Sequence, residues 1–323
     1  MSDNSNLNGA KKQKYDEFYT RYSDIEEEMS HYGRHFVGKV VYCNCDDPYR
    51  SNFFRYFVDN FNRLGLRKLI VTGFCFGRDS EGVLVRKPYA DVCCVNEVTT
   101  VLPRELSSDL YVDRLMMMPK NVRLRFFGDT DFSAGDFRSR ESVSFLELSD
   151  IVVTNPPFSL FREFVDLLVR HDKKFLVLGN KNAVTYKTFF PYFKDDRVWF
   201  GYRDAKVFVD GDGGLRKFGN IGWYTNLDTD RRHALLPLEK TYSPREYPKY
   251  DGFDAINVDR TKDIPKDYDG IMGVPISFLD RYNPEQFEIV GVINHGTDGD
   301  WDLCKCVVGG REVYKRIAVR RRK

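Results

Sequence analysis

Asn155-Pro156-Pro157-Phe158 is the tetrapeptide whose residue types and spacing could do chemistry, and it follows the apolar run Ile151-Val-Val-Thr154. Two successive prolines remove two backbone N–H donors and fix φ, so they predict a stiff turn with outward-pointing carbonyls. Such a turn presents the Asn155 side-chain oxygen and the Pro156 carbonyl as paired acceptors, with the Phe158 ring beside them. A planar amine conjugated to a ring or a carbonyl fits that pair. Its lone pair is delocalised and weakly nucleophilic; two acceptors gripping its hydrogens favour a pyramidal nitrogen able to attack an electrophilic methyl group. Preorganised stabilisation of developing charge and alignment of the reacting atoms are the two contributions expected. Stacking of an aromatic base on Phe158 would add about 1–3 kcal/mol.

The elements around the motif predict an α/β protein. Lys39–Cys45 reads as a strand leaving through Asp46-Asp47-Pro48, a turn-forming sequence. Ser51 to Leu64 has apolar residues at intervals of three and four, Ser51 as N-cap and Gly65 as terminator, which predicts an amphipathic helix. Arg67–Thr72 is the next strand, and strand–helix–strand is the unit of a parallel sheet. Asn121–Phe127, Asp150–Thr154 and Lys174–Leu178 read as further strands, Ser139–Leu148 and Leu160–Val169 as helices. Gly77 to Lys120 is less regular and reads as an insertion. Arg197 to Leu227 suggests antiparallel hairpins with a turn at Gly211–Gly214. The βα rhythm stops near Asp228, where a domain boundary is expected. In an open α/β sheet, ligands bind beyond the carboxyl ends of the strands, where the Asn155 turn falls.

Composition narrows the class. The 323 residues are 42% hydrophobic and 30% charged, ordinary for a globular protein. No apolar run reaches the ~20 residues that cross a bilayer, and the polar stretch Met1–Lys14 lacks the apolar core of a signal peptide; it reads as a disordered basic arm of a cytoplasmic protein. Six of the seven cysteines fall in C-x-C or C-C pairs, all are read as reduced thiols, and no metal site is expected. Net charge is only +2, but basic residues gather at Lys11, Lys12 and Lys14 and again from Lys315 to Lys323. Lys11, Lys14, Arg320, Arg321 and Arg322 are the expected phosphate contacts.

Asp16-Glu-Phe-Tyr-Thr20, Val40–Pro48, Gly135-Asp-Phe-Arg-Ser139 and Asp150–Ser159 together resemble the EcoRI-type adenine-specific DNA methyltransferases. The resemblance extends to Phe218–Leu227, Ile264–Ile276 and Tyr282–Gly291. It implies a Rossmann-like fold that uses S-adenosylmethionine, mostly parallel with an antiparallel hairpin, plus a smaller C-terminal recognition region. The expected division is a catalytic domain over 15–228 and a target-recognition region over 229–323. The implied activity is methylation of N6 on an adenine flipped out of duplex DNA, by a monomer. Asn155, Pro156 and Phe158 match the catalytic motif. Tyr19, Thr20, Asp46, Asp47, Asp136 and Phe137, with Asn155, are the implied cofactor residues, Asp129 being the rival to Asp136. Trp223 or Tyr224 is the ring implied for the base pocket beside Phe158. No Gly-x-Gly loop follows the first strand and no acidic residue ends the second, so the ribose partner is unassigned. Two other readings stay open: a methyltransferase for another planar amine (protein glutamine or RNA), and a non-catalytic DNA-binding protein on the same fold.

Overall fold

The computed structural model describes residues 18–74, 76–78, 84–86, 93–102, 110–210, 214–296 and 301–322. The basic arm with Lys11 and Lys14, Asp16 and Glu17, the Gly211–Gly213 part of the expected turn, and Lys323 lie outside the described residues. The chain divides into two compact units, one of Met1–Asn180 with Arg203–Leu227, the other of Lys181–Tyr202 with Asp228–Lys323.

In the first unit the chain runs through β1 (Phe18–Thr20), α1 (Tyr22–Met29), β2 (Val40–Cys43), α2 (Asn52–Asp59) and β3 (Lys68–Phe74). A small hairpin, β4 (Phe76–Arg78) and β5 (Leu84–Arg86), leads to β6 (Cys93–Val98), α3 (Leu110–Met116) and β7 (Val122–Phe126). Then come α4 (Arg140–Leu148), β8 (Ile151–Thr154), α5 (Phe161–Arg170) and β9 (Lys174–Asn180). The chain then leaves the first unit for α6 (Phe190–Lys194) and most of β10 (Trp199–Asp204), and the first unit ends with β11 (Val207–Asp210), β12 (Leu215–Lys217) and β13 (Ile221–Thr225).

α2 forms as its spacing predicts. Phe53, Phe54, Phe57 and Val58 are buried, the Ser51 hydroxyl caps the helix by accepting from Phe53 N at 3.1 Å, and Gly65 takes a φ of +63°. Every residue of β2 and β8 is buried, the mark of strands covered on both faces. Helices α2, α3, α4 and α5 pack on β3, β6, β2 and β9.

The main sheet has the order β10-β13-β9-β8-β2-β3-β6-β7. It is parallel only through its centre, β9-β8-β2-β3; β13, β6 and β7 join antiparallel. The fold is thus a mixed α/β sheet, less parallel than expected. β6 also corrects the reading of Gly77–Lys120 as an insertion, since this stretch supplies an interior strand. Asn96 and Glu97 interrupt its apolar pattern, but each finds a cross-strand partner: Arg123 Nε donates to Asn96 at 3.1 Å, and Lys68 meets Glu97 at 2.7 Å.

From β2 the chain steps to β3 on one side, while β8 pairs with β2 on the other. The strand order reverses at β2, so the crevice between the β2 and β8 exits is the topological switch point where such sheets bind ligands. A separate antiparallel sheet, β1-β11-β12, sets Phe18 opposite Asp210 and Thr20 opposite Phe208.

The second unit contains α7 (Asp230–His233), β14 (Ala255–Asn257), β15 (Ile271–Val274), β16 (Phe287–Asn294), β17 (Asp302–Lys305), β18 (Val307–Val308), β19 (Arg311–Glu312) and β20 (Arg316–Arg321). Five of these strands form a sheet, β14-β15-β20-β16-β17. The unit also claims Lys181–Tyr202, which was expected in the catalytic domain. Phe190 packs against Trp301 with ring centroids 5.9 Å apart, and Lys181 meets Asp280 at 2.6 Å.

β20 carries most of the basic C-terminal run. Ile317, Ala318 and Val319 are fully buried, which makes the run a central strand. Arg316 lies 3.4 Å from Asp259, Arg320 3.9 Å from Glu288, Arg321 donates to the Lys266 carbonyl, and Arg322 donates to the Phe287 carbonyl at 3.3 Å. Arg320 and Arg322 remain exposed at the strand end. Among the described residues no helix is long and apolar enough to cross a membrane.

Candidate active site

A cavity of about 360 Å³ opens at the switch point, wholly within the first unit. Its lining comes from the strand exits: Cys45, Asp46 and Asp47 after β2, Thr72 and Gly73 in β3, and Asn155 to Phe158 after β8. β1 adds Phe18, Tyr19 and Thr20; the start of α2 adds Ser51, Asn52 and Phe53; the loop before α4 adds Ser133 to Phe137. Three carboxyl groups face this space, and no Lys or Arg is among the described residues lining it.

Asn155 is held in one orientation. Its Nδ2 donates to the Phe18 carbonyl at 2.8 Å, which leaves Oδ1 buried with no partner among the described residues. A buried acceptor without a donor is costly, about 1–3 kcal/mol, and such atoms concentrate where a ligand completes them. The Pro157 carbonyl is used by the turn itself, accepting from Leu160 N at 3.0 Å. The Pro156 carbonyl has no place in that turn.

Phe158 is partly exposed and stands edge-on against Phe208 and Phe218, each at 5.9 Å. Phe218 in turn meets Phe18 at 4.7 Å. The β1-β11-β12 sheet therefore buttresses both groups of the motif, Asn155 through the Phe18 carbonyl and Phe158 through the aromatic cluster. Trp223 and Tyr224, the rings expected at the base pocket, are not on the cavity. β13 is buried at every position, so both side chains are core: Trp223 packs on Phe53 at 5.9 Å, and Tyr224 donates to the Asn180 carbonyl at 2.7 Å. Phe218 belongs to the same matched segment and takes the place next to Phe158.

The other expected residues gather around the cavity. Thr20 is 2% exposed, and its hydroxyl has no partner among the described residues; its carbonyl accepts from Asn52 Nδ2 at 2.8 Å. Tyr19 lies beside it on the lining. Asp47 is partly buried and accepts from Tyr49 N at 2.9 Å. Asp136 is gripped by Arg138 through Nε at 3.0 Å and Nη2 at 2.8 Å. Burial pushes that carboxyl up, but the Arg138 hydrogen bonds outweigh it and the net direction is down, so Asp136 is ionised. Phe137 touches the cavity with most of its ring in the core, edge-on to Phe164 at 5.0 Å. Asp129 is not on the lining; it ties its own loop, accepting from Phe132 N at 2.9 Å and Arg140 N at 2.7 Å.

Asp46 is 6% exposed. Ser51 Oγ lies 2.7 Å from Oδ1 and Thr154 Oγ1 2.7 Å from Oδ2, so Asp46 bridges the β2 exit, the α2 cap and the last residue of β8. Burial pushes its carboxyl up to about 7 against those hydrogen bonds. Gly73 brings β3 against the same loop. A Cβ there would sit 2.7 Å from Pro48 Cδ, 2.8 Å from Asp47 Cα and 2.9 Å from the Asp46 carbonyl. Backbone cannot yield as a side chain can, so Gly73→Ala should destabilise the protein by about 1–3 kcal/mol, read as a lower urea midpoint. An unchanged midpoint would show that the loop does not depend on this close approach.

Comparison with known proteins gives a consistent result. Residues 6–321 match the model of a family described as "Adenine-specific methyltransferase EcoRI". The chain is 43% identical to the type II methyltransferase M.EcoRI of Escherichia coli, over 99% of this chain and 97% of that one. It is 39% identical to M.MpnI of Mycoplasma pneumoniae, over 88% and 84%, and 38% identical to M.MgeORF184P of Mycoplasma genitalium, over 88% and 85%. No solved structure matches the chain significantly.

Proposed function

Because the chain belongs to the EcoRI family of adenine-specific methyltransferases, we propose that its cavity holds S-adenosylmethionine beside an adenine drawn out of duplex DNA. The enzyme is an adenine-specific DNA methyltransferase. The observation that carries the site assignment is the buried, partnerless Asn155 Oδ1 at the cavity edge. With the Pro156 carbonyl it supplies the two acceptors that an exocyclic amine needs, and Phe158 supplies the stacking face.

The residues present suit the methyl donor. Asp47 and Asp136 put two carboxyls on a lining with no Lys or Arg among the described residues, which favours a ligand bearing positive charge, and the cavity volume falls in the ~300–1,000 Å³ range of small-molecule sites. When bound, S-adenosylmethionine supplies an electrophilic methyl on a sulfonium. Thr20, with a hydroxyl awaiting a partner, and Tyr19, Asp47, Asp136 and Phe137 are the residues that would hold it. An adenine inside the helix is stacked and paired, and its N6 reaches such a pocket only after extrusion. The second unit is proposed to read the target sequence, leaving the transfer to the first.

Incubation with cofactor carrying a labelled methyl tests this directly. N6-methyladenine should form in duplex DNA, at one sequence context, with no label in RNA or protein. Label appearing in glutamine side chains or RNA bases would instead support the planar-amine alternative.

A further inference from the structure

Thr154 Oγ1 contacts two oxygens, the Asn44 carbonyl and Asp46 Oδ2. A hydroxyl has one proton, and a carbonyl oxygen can only accept. Ser51 does not help, because its hydroxyl accepts from Phe53 N and spends its proton on Asp46 Oδ1. If Thr154 donates to Asp46, its oxygen faces the Asn44 carbonyl lone pair to lone pair. If it donates to Asn44, the contact with Asp46 holds only when Oδ2 carries a proton.

We propose that Asp46 is a positioning residue that works as a neutral carboxylic acid, donating to Thr154, which donates to the Asn44 carbonyl, so that the β2 exit is locked to the residue preceding Asn155. The inference rests on the reading of this cavity as the methyltransferase site. It departs from the expectation, implied by the resemblance, that Asp46 contacts the cofactor. The surroundings favour the neutral form. Asp46 is buried, and the titratable groups near it are Asp47 and Cys45 on its own loop and Cys43 on β2, none of them a cation. α2 and β8 turn only the Ser51 and Thr154 hydroxyls toward it, and β3 accepts its backbone N–H at the Thr72 carbonyl, 3.1 Å away. The carboxyl pushed up to about 7 by burial agrees with this geometry.

Asp46→Asn keeps the neutral pattern at every pH, its amide donating where the acid's proton did, whereas the native acid loses that donor as pH rises through about 7. The ratio of variant to wild-type kcat should therefore rise by about threefold or more between pH 6.5 and 8.5, in the kcat and not in the KM for the cofactor. A flat or falling ratio would overturn the proposal. So would a cofactor KM raised about tenfold in the variant at pH 6.5, since that is the signature of a lost charge partner. Thermal unfolding gives a readout free of activity. The folded acid binds a proton that the unfolded chain releases near the ordinary carboxylate value of 3.8, so the wild-type midpoint should fall relative to Asp46→Asn up to about pH 7 and then level off. A constant gap would refute the neutral acid. If neither protein methylates DNA, the assignment of the cavity fails, while the unfolding comparison still reports on Asp46.

Discussion

Asn155→Ala should slow methyl transfer to duplex DNA by about a hundredfold to a thousandfold, the loss found when one preorganised hydrogen-bonding group is removed from a developing charge. The expectation follows from how the side chain is held. Its amide nitrogen is committed to the Phe18 carbonyl at 2.8 Å, so Oδ1 points to a fixed place before any substrate arrives. Nothing else in the turn can replace it, because proline carbonyls are held by the backbone and Pro157 is engaged with Leu160. Stability should change far less. One hydrogen bond, worth about 1 kcal/mol, is lost to β1. Single-turnover rates are the right measurement, since product release would otherwise mask the chemical step. Asn155→Asp separates the two duties of the side chain. It keeps an acceptor but puts a carboxylate against the Phe18 carbonyl, so its rate should fall between alanine and wild type. If Asn155→Ala turned over at the wild-type rate, the acceptor pair would not be the catalytic device.

Much of this site was legible in the sequence, for a physical reason. The parallel strands β2 and β8 announce themselves as short apolar runs, and each ends in a turn whose chemistry is local: Asp46-Asp47-Pro48 and Asn155-Pro156-Pro157. Function placed at strand exits can be read one segment at a time. What was missed depends on long-range contacts. β6 looked irregular because Asn96 and Glu97 are satisfied only by Arg123 and Lys68 on neighbouring strands. Trp223 and Tyr224 looked suited to a base pocket, but β13 is an interior strand that turns both rings into the core. The neighbour of Phe158 is Phe218, brought there by pairing of β1 with β11 across roughly the whole first unit. The strand within the basic C-terminus was illegible for the same reason, since Ile317-Ala318-Val319 makes a central strand only when β15 and β16 lie on either side.

The second large effect belongs to the aromatic face. Phe158→Ala should reduce methylation by a factor of about five to a hundred and fifty, the equivalent of the ~1–3 kcal/mol that base stacking contributes. The ring is partly exposed on the cavity lining and packs at a near-right angle to Phe208 and Phe218, so that a base entering the cavity meets it. Its absence weakens the extruded state, so the loss should depend on how hard extrusion is. A paired adenine must break both stacking and pairing; an adenine in a mismatch has already lost part of that stability. The variant should therefore recover several-fold on a mismatched target, whereas the slow chemistry expected of Asn155→Ala should persist on both. Phe158→Leu sharpens the distinction. It retains apolar bulk against Phe208 and Phe218 but has no π-face, and it should resemble alanine in rate while unfolding closer to wild type. A fluorescent adenine analogue at the target position gives the direct readout, because its emission rises when it leaves the stack. Equal emission with wild type and Phe158→Ala, at equal rates on paired and mismatched DNA, would leave Phe158 a packing residue and place the base elsewhere.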